Sequence, residues 1–300
     1  MSISILIPAY NASAFIAETL EGALAQTLPA DDILVVDDGS TDDTAAIAAR
    51  FAPRVRVLSV PNSKLGAARN FGVSQVETEW VAFLDADDLW KEDKLERQME
   101  ELARQPRADI CYTGHVPFSM ENDAVRLHQA VPGCPAESVV QKLHKDFIFL
   151  PSSAVIRRSV LLDIGGFSPD PGVSEDWDLW LRLAHAGVQF VACEEPLVLY
   201  RIHPNSLTAD KLKQRIKNVR LYREQILPYL SGQARRAALK HTSDENASIA
   251  YLMKEKGDSR CLRTMTSSIV GLPFGNLWRY KAWLGMLLVR LKAIPQPHHK

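Results

Sequence analysis

Carboxylates crowd at three places in this chain, at Asp37-Asp38, at Asp85-Ala86-Asp87-Asp88 and at Glu175-Asp176. Neighbouring carboxylates repel, so such clusters persist where a cation sits between them or where water solvates them all. Asp85-x-Asp87 has the spacing to offer oxygen ligands to one hard divalent ion, with phosphate oxygens completing the shell. The same triplet on an acidic loop is also an ordinary solvated turn. Asp37-Asp38 runs into Gly39-Ser40-Thr41, a turn and helix start that an Asp can simply cap. Adjacent residues of a strand point to opposite faces, so the pair need not act together. Lys64 and Arg69 bracket Gly66 at a helix start, a place that suits an anionic ligand or a solvated basic turn. Glu175-Asp176 opens a Trp-rich helix. Acids there favour the helix dipole, or Asp176, flanked by Trp177 and Trp180, acts as a general base. His203, ahead of Pro204, reads as a phosphate or metal contact or as a structural imidazole.

The elements that must position these groups alternate regularly. Short apolar runs at Ile3–Ile7, Ile33–Val36, Val55–Val60, Trp80–Leu84 and Ala108–Tyr112 read as strands. Helical stretches lie between them: Ala14–Ala25 with Ser13 as N-cap, Thr41–Phe51, Leu65–Val76, and Lys91–Arg104 with an apolar stripe at Leu95, Met99 and Leu102. This alternation predicts βαβ crossovers and a largely parallel sheet. Ligands bind such sheets outside the carboxyl ends of the strands. Both aspartate clusters fall at the ends of strands, the second and the fourth, so one crevice gathers them. Further along, Glu137–Phe147 reads as helix, Ala154–Arg157 as strand, Arg158–Ile164 as a short helix, and Ser174–Ala186 as a helix capped by Ser174. Phe190–Ala192 and Leu197–Ile202 read as two strands. Past His203-Pro204-Asn205-Ser206 the chain becomes basic and helical, which sets an expected boundary at Ser206.

Composition narrows the class. Of 300 residues, 46% are hydrophobic and 24% charged, and the formal net charge is −1, a soluble globular profile with no global basic field for nucleic acid. Cys111, Cys134, Cys193 and Cys261 are far apart in sequence and form no C-x-x-C pair, so neither zinc nor a disulfide framework is expected and a reducing compartment is. Met1–Pro8 lacks the basic start of a signal peptide, and no apolar run reaches the roughly 18 to 20 residues of a spanning helix. No G-x-G-x-x-G follows a strand, against a dinucleotide oxidoreductase. Pro8-Ala9-Tyr10-Asn11 stands where a sugar-nucleotide pyrophosphorylase needs a glycine-rich loop.

The ordered set Ile5-Leu-Ile-Pro8-Ala-Tyr10-Asn11, Ile33-Leu-Val-Val-Asp37-Asp38-Gly-Ser40-Thr-Asp42, Gly66-Ala-Ala-Arg69-Asn70, Phe83-Leu-Asp85-Ala-Asp87-Asp88, Ser174-Glu175-Asp176-Trp177-Asp178-Leu179 and Tyr200-Arg-Ile-His203-Pro204 resembles the family 2 glycosyltransferases of GT-A fold. The likeness covers about residues 1–206, leaving 207–300 as a helical C-terminal extension. It implies a Rossmann-like α/β nucleotide-sugar-binding domain and an inverting transfer from a UDP-sugar to a saccharide or lipid-linked acceptor. By the same likeness, Pro8, Tyr10 and Asp38 would hold the uracil ring, Arg69 would lie near the base or diphosphate, and Asp85 would approach the ribose. Asp87 would ligate Mn²⁺ or Mg²⁺, Asp176 would be the catalytic base, and His203 would sit beside the diphosphate. The Q-x-x-R-W motif of processive members is absent, which implies addition of a single sugar, as in assembly of a bacterial surface polysaccharide or glycolipid. The non-enzyme alternative is a nucleotide-sugar-binding or scaffold protein that has lost catalysis. Leu277–Ile294 places Arg279, Lys281, Arg290 and Lys292 around an apolar centre with Trp278, Tyr280 and Trp283. It reads either as a peripheral contact at the inner face of the membrane or as a helix packed in the protein or against a second subunit.

Overall fold

The computed structural model describes residues 1–121, 124–133, 139–206, 210–271 and 281–287. It divides into two compact units, Met1–Pro171 with Glu175–Ser206, and Gly172–Ser174 with Leu207–Lys300.

The first unit is built on one sheet. Strand β1 (Ile3–Ala9) is buried along its whole length, between β2 (Asp32–Asp37) and β4 (Trp80–Phe83), and β3 (Arg56–Ser59) lies outside β2. All of these pairs are parallel. A central parallel strand has both faces covered, and the sequence shows how. Ile3, Ile5 and Ile7 face one side with Ile33 and Val35, under Ile16 and Leu20 of α1 (Ile16–Leu24) and Leu95 of α4 (Lys94–Arg104). Leu6 faces the other side, where α3 (Leu65–Ser74) crosses so closely that a Cβ on Gly72 would lie 2.2 Å from Leu6 Cδ1. Leu95, Met99 and Leu102 are all buried, as the stripe predicts.

Parallel order stops at β4. Strand β8 (Ala154–Arg157) inserts antiparallel between β4 and β6 (Ile110–Glu121), and the two-residue β5 (Leu89–Trp90) pairs antiparallel with β9 (Phe190–Ile202). The sheet is therefore more mixed than βα alternation predicts. Strand β6 runs well past Tyr112 and turns back into β7 (Ala124–Leu127). The two strands expected at Phe190–Ala192 and Leu197–Ile202 are one strand. It runs parallel to β6 with register shifts on either side of Gly114, which lies opposite Pro196. A bulge there accommodates a proline, which has no N–H for the ladder.

Ser13 does not cap α1. That helix starts at Ile16 after a turn on the Ala12 carbonyl, with no side-chain cap. Cys111 and Cys193, distant in sequence, meet as buried thiols with Sγ atoms 3.9 Å apart, because β6 and β9 are neighbours. Beside them Lys94 is fully buried, its Nζ 2.6 Å from Gln98 Oε1 and 3.9 Å from the Trp90 ring centroid. Burial pushes its amine down to about 7.

The second unit is helical: α8 (Lys211–Leu221), α9 (Gly232–Glu255), α10 (Cys261–Gly271) and a helical stretch over 281–287. Ala247, Ala250, Met265 and Met286 form one small core, and Val219, Ile249 and Met253 another. Of the Leu277–Ile294 segment, the described part packs Met286 inward and donates a hydrogen bond from Trp283 Nε1 to Thr266 Oγ1. Its remainder, with Trp278, Arg279, Tyr280, Arg290 and Lys292, lies outside the described residues. Among the described residues no helix is long and apolar enough to cross a membrane.

Candidate active site

The site forms at the carboxyl ends of β2, β4 and β9 and at the start of α7 (Glu175–His185). At the β2 end, Asp37 Oδ1 accepts from the Ser40 N–H at 3.2 Å, within a turn that Gly39 allows by its φ of 73°. Asp38 holds the opposite loop. Its carboxylate accepts from the Ser63 N–H and Oγ at 2.6 and 2.9 Å and from the Lys64 N–H at 3.0 Å. A carboxylate offers about four acceptor positions, so a donor on a ligand has one left. Pro8 is buried opposite Val36, and Tyr10, beyond the end of β1, is exposed. Asn11 fixes this rim by accepting from the Thr41 N–H through Oδ1 at 2.8 Å.

The β4 end carries three acids with three different fates. Asp85 is held by Arg69, whose Nη2 lies 2.6 Å from its Oδ1. Asp87 faces His203, with Oδ2 and Nε2 2.9 Å apart. Burial first, and then Asp85, push the Asp87 carboxyl above its ordinary range, while His203 opposes them. Asp88 is fully buried. It accepts from Ser152 Oγ at 2.6 Å and from the Arg201 N–H at 3.1 Å, and burial and its acidic neighbours hold its proton affinity well above normal. Asp88 thus fastens the loop to β9 and to the turn that leads into β8. Arg201 completes that fastening, with Nε on the Asp87 carbonyl at 2.7 Å, Nη2 on Glu18 at 2.7 Å, and its guanidinium against the rings of Phe15 and Phe118. Neither residue stands out in the sequence, since a third acid and an Arg in a strand have no spacing that announces a clamp.

Arg69 is the hub. It is 1% exposed, and its second nitrogen, Nη1, lies 3.1 Å from Glu175 Oε1. Its guanidinium sits over the Phe167 ring at 5.0 Å. Both ends of the fork meet protein carboxylates, so Arg69 acts first as a strut. Glu175, which the sequence suggests only as a helix-dipole acid, is that strut's second anchor. Next to it Asp176 is half-buried and accepts from the Trp177 N–H at 2.7 Å. Burial and then Glu175 push the Asp176 carboxyl up to about 7, against the pull of Arg69. Trp177 and Trp180 are buried and anchor the helix rather than line the site. Trp177 Nε1 donates to the Leu143 carbonyl at 2.9 Å, and Trp180 packs on Phe149 at 4.6 Å.

Among the described residues no group of three or more metal-ligating side chains converges. Asp87 and His203 are two donors at one point with Asp85 close by, which is a place that favours a cation. A carboxylate and an imidazole with remaining positions left to diphosphate oxygens and water fit Mn²⁺ or Mg²⁺.

A family model described as "Glycosyl transferase family 2" matches residues 4–165. This chain belongs to that family. Its fold is GT-A. Staphylococcus aureus TarS in complex with UDP superposes with a TM-score of 0.59 at 18% identity, over 100% of this chain and 93% of the other. The mannosyltransferase PcManGT of Pyrobaculum calidifontis, in complex with GDP-Man and Mn²⁺, gives 0.60 at 18% identity, over 96% and 80%. TuaG of Bacillus subtilis, a glycosyltransferase named for teichuronic acid biosynthesis, is 31% identical over 74% of this chain and 87% of its own. WfaP of Escherichia coli, named as a UDP-Glc:alpha-D-GlcNAc-diphosphoundecaprenol beta-1,3-glucosyltransferase, is 28% identical over 72% and 83%. The family match stops at 165, ahead of Glu175, which reaches Arg69, and of Arg201 and His203, which reach Asp88 and Asp87.

Proposed function

We propose that this family 2 glycosyltransferase moves one sugar from a UDP-sugar to a hydroxyl of a lipid-linked saccharide, with inversion, in assembly of a bacterial surface polysaccharide or glycolipid. The observation that carries the reading is the Arg69 bridge. One buried guanidinium ties Asp85, beside the cation-favouring Asp87, to Glu175, beside the half-buried Asp176. The acids expected at the donor and the acid expected at the acceptor thus belong to one assembly. TarS with UDP and WfaP with its named UDP-Glc donor and lipid diphosphate acceptor support the choice of ligands.

In this mechanism Pro8, Tyr10 and Asp38 line the place of the base, and Asp85 approaches the ribose. Asp176 takes the proton of the acceptor hydroxyl as its oxygen bonds to the anomeric carbon. The bond from that carbon to the diphosphate oxygen breaks on the opposite side, and UDP departs with the electron pair. Asp87, with His203 beside it, would hold Mn²⁺ or Mg²⁺, which when bound supplies neutralisation of diphosphate charge. A carboxyl pushed up to about 7 is matched to this work, being basic enough to accept the proton and still largely ionised in mildly alkaline solution. A donor screen with UDP-glucose, UDP-galactose and their N-acetyl forms, read by UDP release with and without a polyprenyl-diphosphate sugar, tests the reading. UDP release stimulated by the acceptor supports it. No turnover of any UDP-sugar, with a GDP- or dTDP-sugar used instead, would refute the donor class.

A further inference from the structure

The near-zero net charge conceals a strong segregation. The first 206 residues hold 17 Lys and Arg against 30 Asp and Glu, whereas residues 207–300 hold 18 against 6. The densest stretch is 211–240, with nine cations and a single acid, Glu224. Charge asymmetry of this size points to a polyanionic surface as partner.

The helical unit gives the stretch a direction. On α8, Leu212 and Val219 pack with Ile249 and Met253 and so mark the inward side. At about 100° per residue, Lys213, Ile216, Lys217 and Arg220 share an arc on one flank of the helix, between that inward side and the side on which Gln214 and Asn218 bond Ser174. Lys213 and Ile216 are exposed, and Lys217 and Arg220 are half-buried. Arg215, off that arc, is paired with Glu245 at 2.7 Å, and Arg220, on it, is paired with Glu224 at 2.9 Å. Past α8, Arg223, Arg235, Arg236 and Lys240 are exposed, and Tyr229 between them is 59% exposed. Aliphatic and phenolic side chains set among cations suit a headgroup layer, where the charges meet phosphates and the apolar groups enter the acyl boundary. A nucleic acid would call for aromatic stacking platforms. In this stretch the second tyrosine, Tyr222, is buried.

We propose that the flank of α8 that carries Lys213, Ile216, Lys217 and Arg220 docks this enzyme on an anionic lipid bilayer. The inference stands on the charge and exposure of the helical unit and does not depend on the donor.

The test is co-sedimentation of the full chain with vesicles. One set is pure phosphatidylcholine and the other contains about a third phosphatidylglycerol, each at low and at high salt. Binding to the anionic set alone, lost at high salt, is expected. The variant Lys213→Glu/Lys217→Glu/Arg220→Glu should lower partitioning roughly 10- to 100-fold. A milder Lys213→Gln/Lys217→Gln variant serves if the first fails to fold by circular dichroism, and donor hydrolysis should stay unchanged in either. Equal binding to both vesicle sets, no binding to either, or unchanged binding by the variants would overturn the proposal. So would binding to soluble polyphosphate without binding to anionic vesicles, which would assign the face to a soluble polyanion. Loss of donor hydrolysis with vesicle binding intact would count against the enzymatic reading alone.

Discussion

Asp87 and His203 approach to 2.9 Å between Oδ2 and Nε2, joining the ends of β4 and β9 across 116 positions of sequence. A hydrogen bond that pairs a carboxylate with an imidazole can give way to a cation that both then bind. Asp87→Ala should therefore abolish transfer and weaken UDP binding in Mn²⁺, and His203→Ala should weaken it by roughly tenfold or more. Calorimetry with UDP, with Mn²⁺ and with EDTA, measures both. Unchanged UDP affinity in EDTA would sink the metal role.

Asp176→Asn should leave UDP binding intact and cut transfer by roughly 100-fold or more. Wild-type transfer should rise with pH through about 7, because only the ionised carboxyl accepts a proton, and the variant's residual rate should be flat there. The stability sign runs the other way. A carboxyl raised from its usual value to about 7 keeps its proton longer when folded, so its cost grows as pH rises to about 7 and is full above it. The same variant should consequently unfold at higher temperature than wild type at pH 8.

Glu175→Gln removes a like charge beside Asp176 and one anchor of Arg69. Both changes favour the ionised base, so the rising limb of the pH–rate profile should shift to lower pH. Stability should fall by roughly 1–3 kcal/mol, less than for a fully buried pair because Glu175 is partly exposed. A limb that stays in place while kcat falls would make Glu175 a structural anchor only.

Lys94→Met tests the buried amine. A lysine held near 7 when folded loses its proton earlier than in the unfolded chain, so its cost is full below about 7 and fades as pH rises towards 10.5. Wild-type stability should carry a rising component over that window. The variant, of similar length and apolar, should be more stable at pH 7 and lack that component, less about 1 kcal/mol for the hydrogen bond lost by Gln98. Denaturant titrations at pH 7 and pH 10 measure the difference.

Apolar runs made β1, β2 and β4 legible, and the acids that end the last two marked the aspartate clusters, because a buried parallel strand needs an unbroken run and a ligand end needs polarity. Partners were not legible. Nothing near Arg69 in sequence signals Glu175, 106 positions away, and nothing near Asp88 signals the Arg201 amide. The length of β6 beyond Tyr112 was not legible either, and the two strands expected at Phe190–Ala192 and Leu197–Ile202 are one, because a bulge accommodates Pro196 inside it. Cys111 and Cys193 show the same limit, since only strand order brings them together.

Strand order also sets a timetable for synthesis. Leu89 and Trp90 of β5 leave the ribosome early, but among the described residues their strand partners are Leu199 and Val198. At about 5–20 residues per second, that partner follows on the order of 5–20 s later. For that interval the Asp85–Asp88 loop lacks Arg201 and His203, so Asp88 and Asp87 wait without the clamp and the imidazole. A nascent chain paused before residue 200 would expose the edge of β6 that β9 later covers, a surface on which chaperones or a neighbouring nascent chain can pair. Slow codons that delay the emergence of β9 would lengthen that exposure.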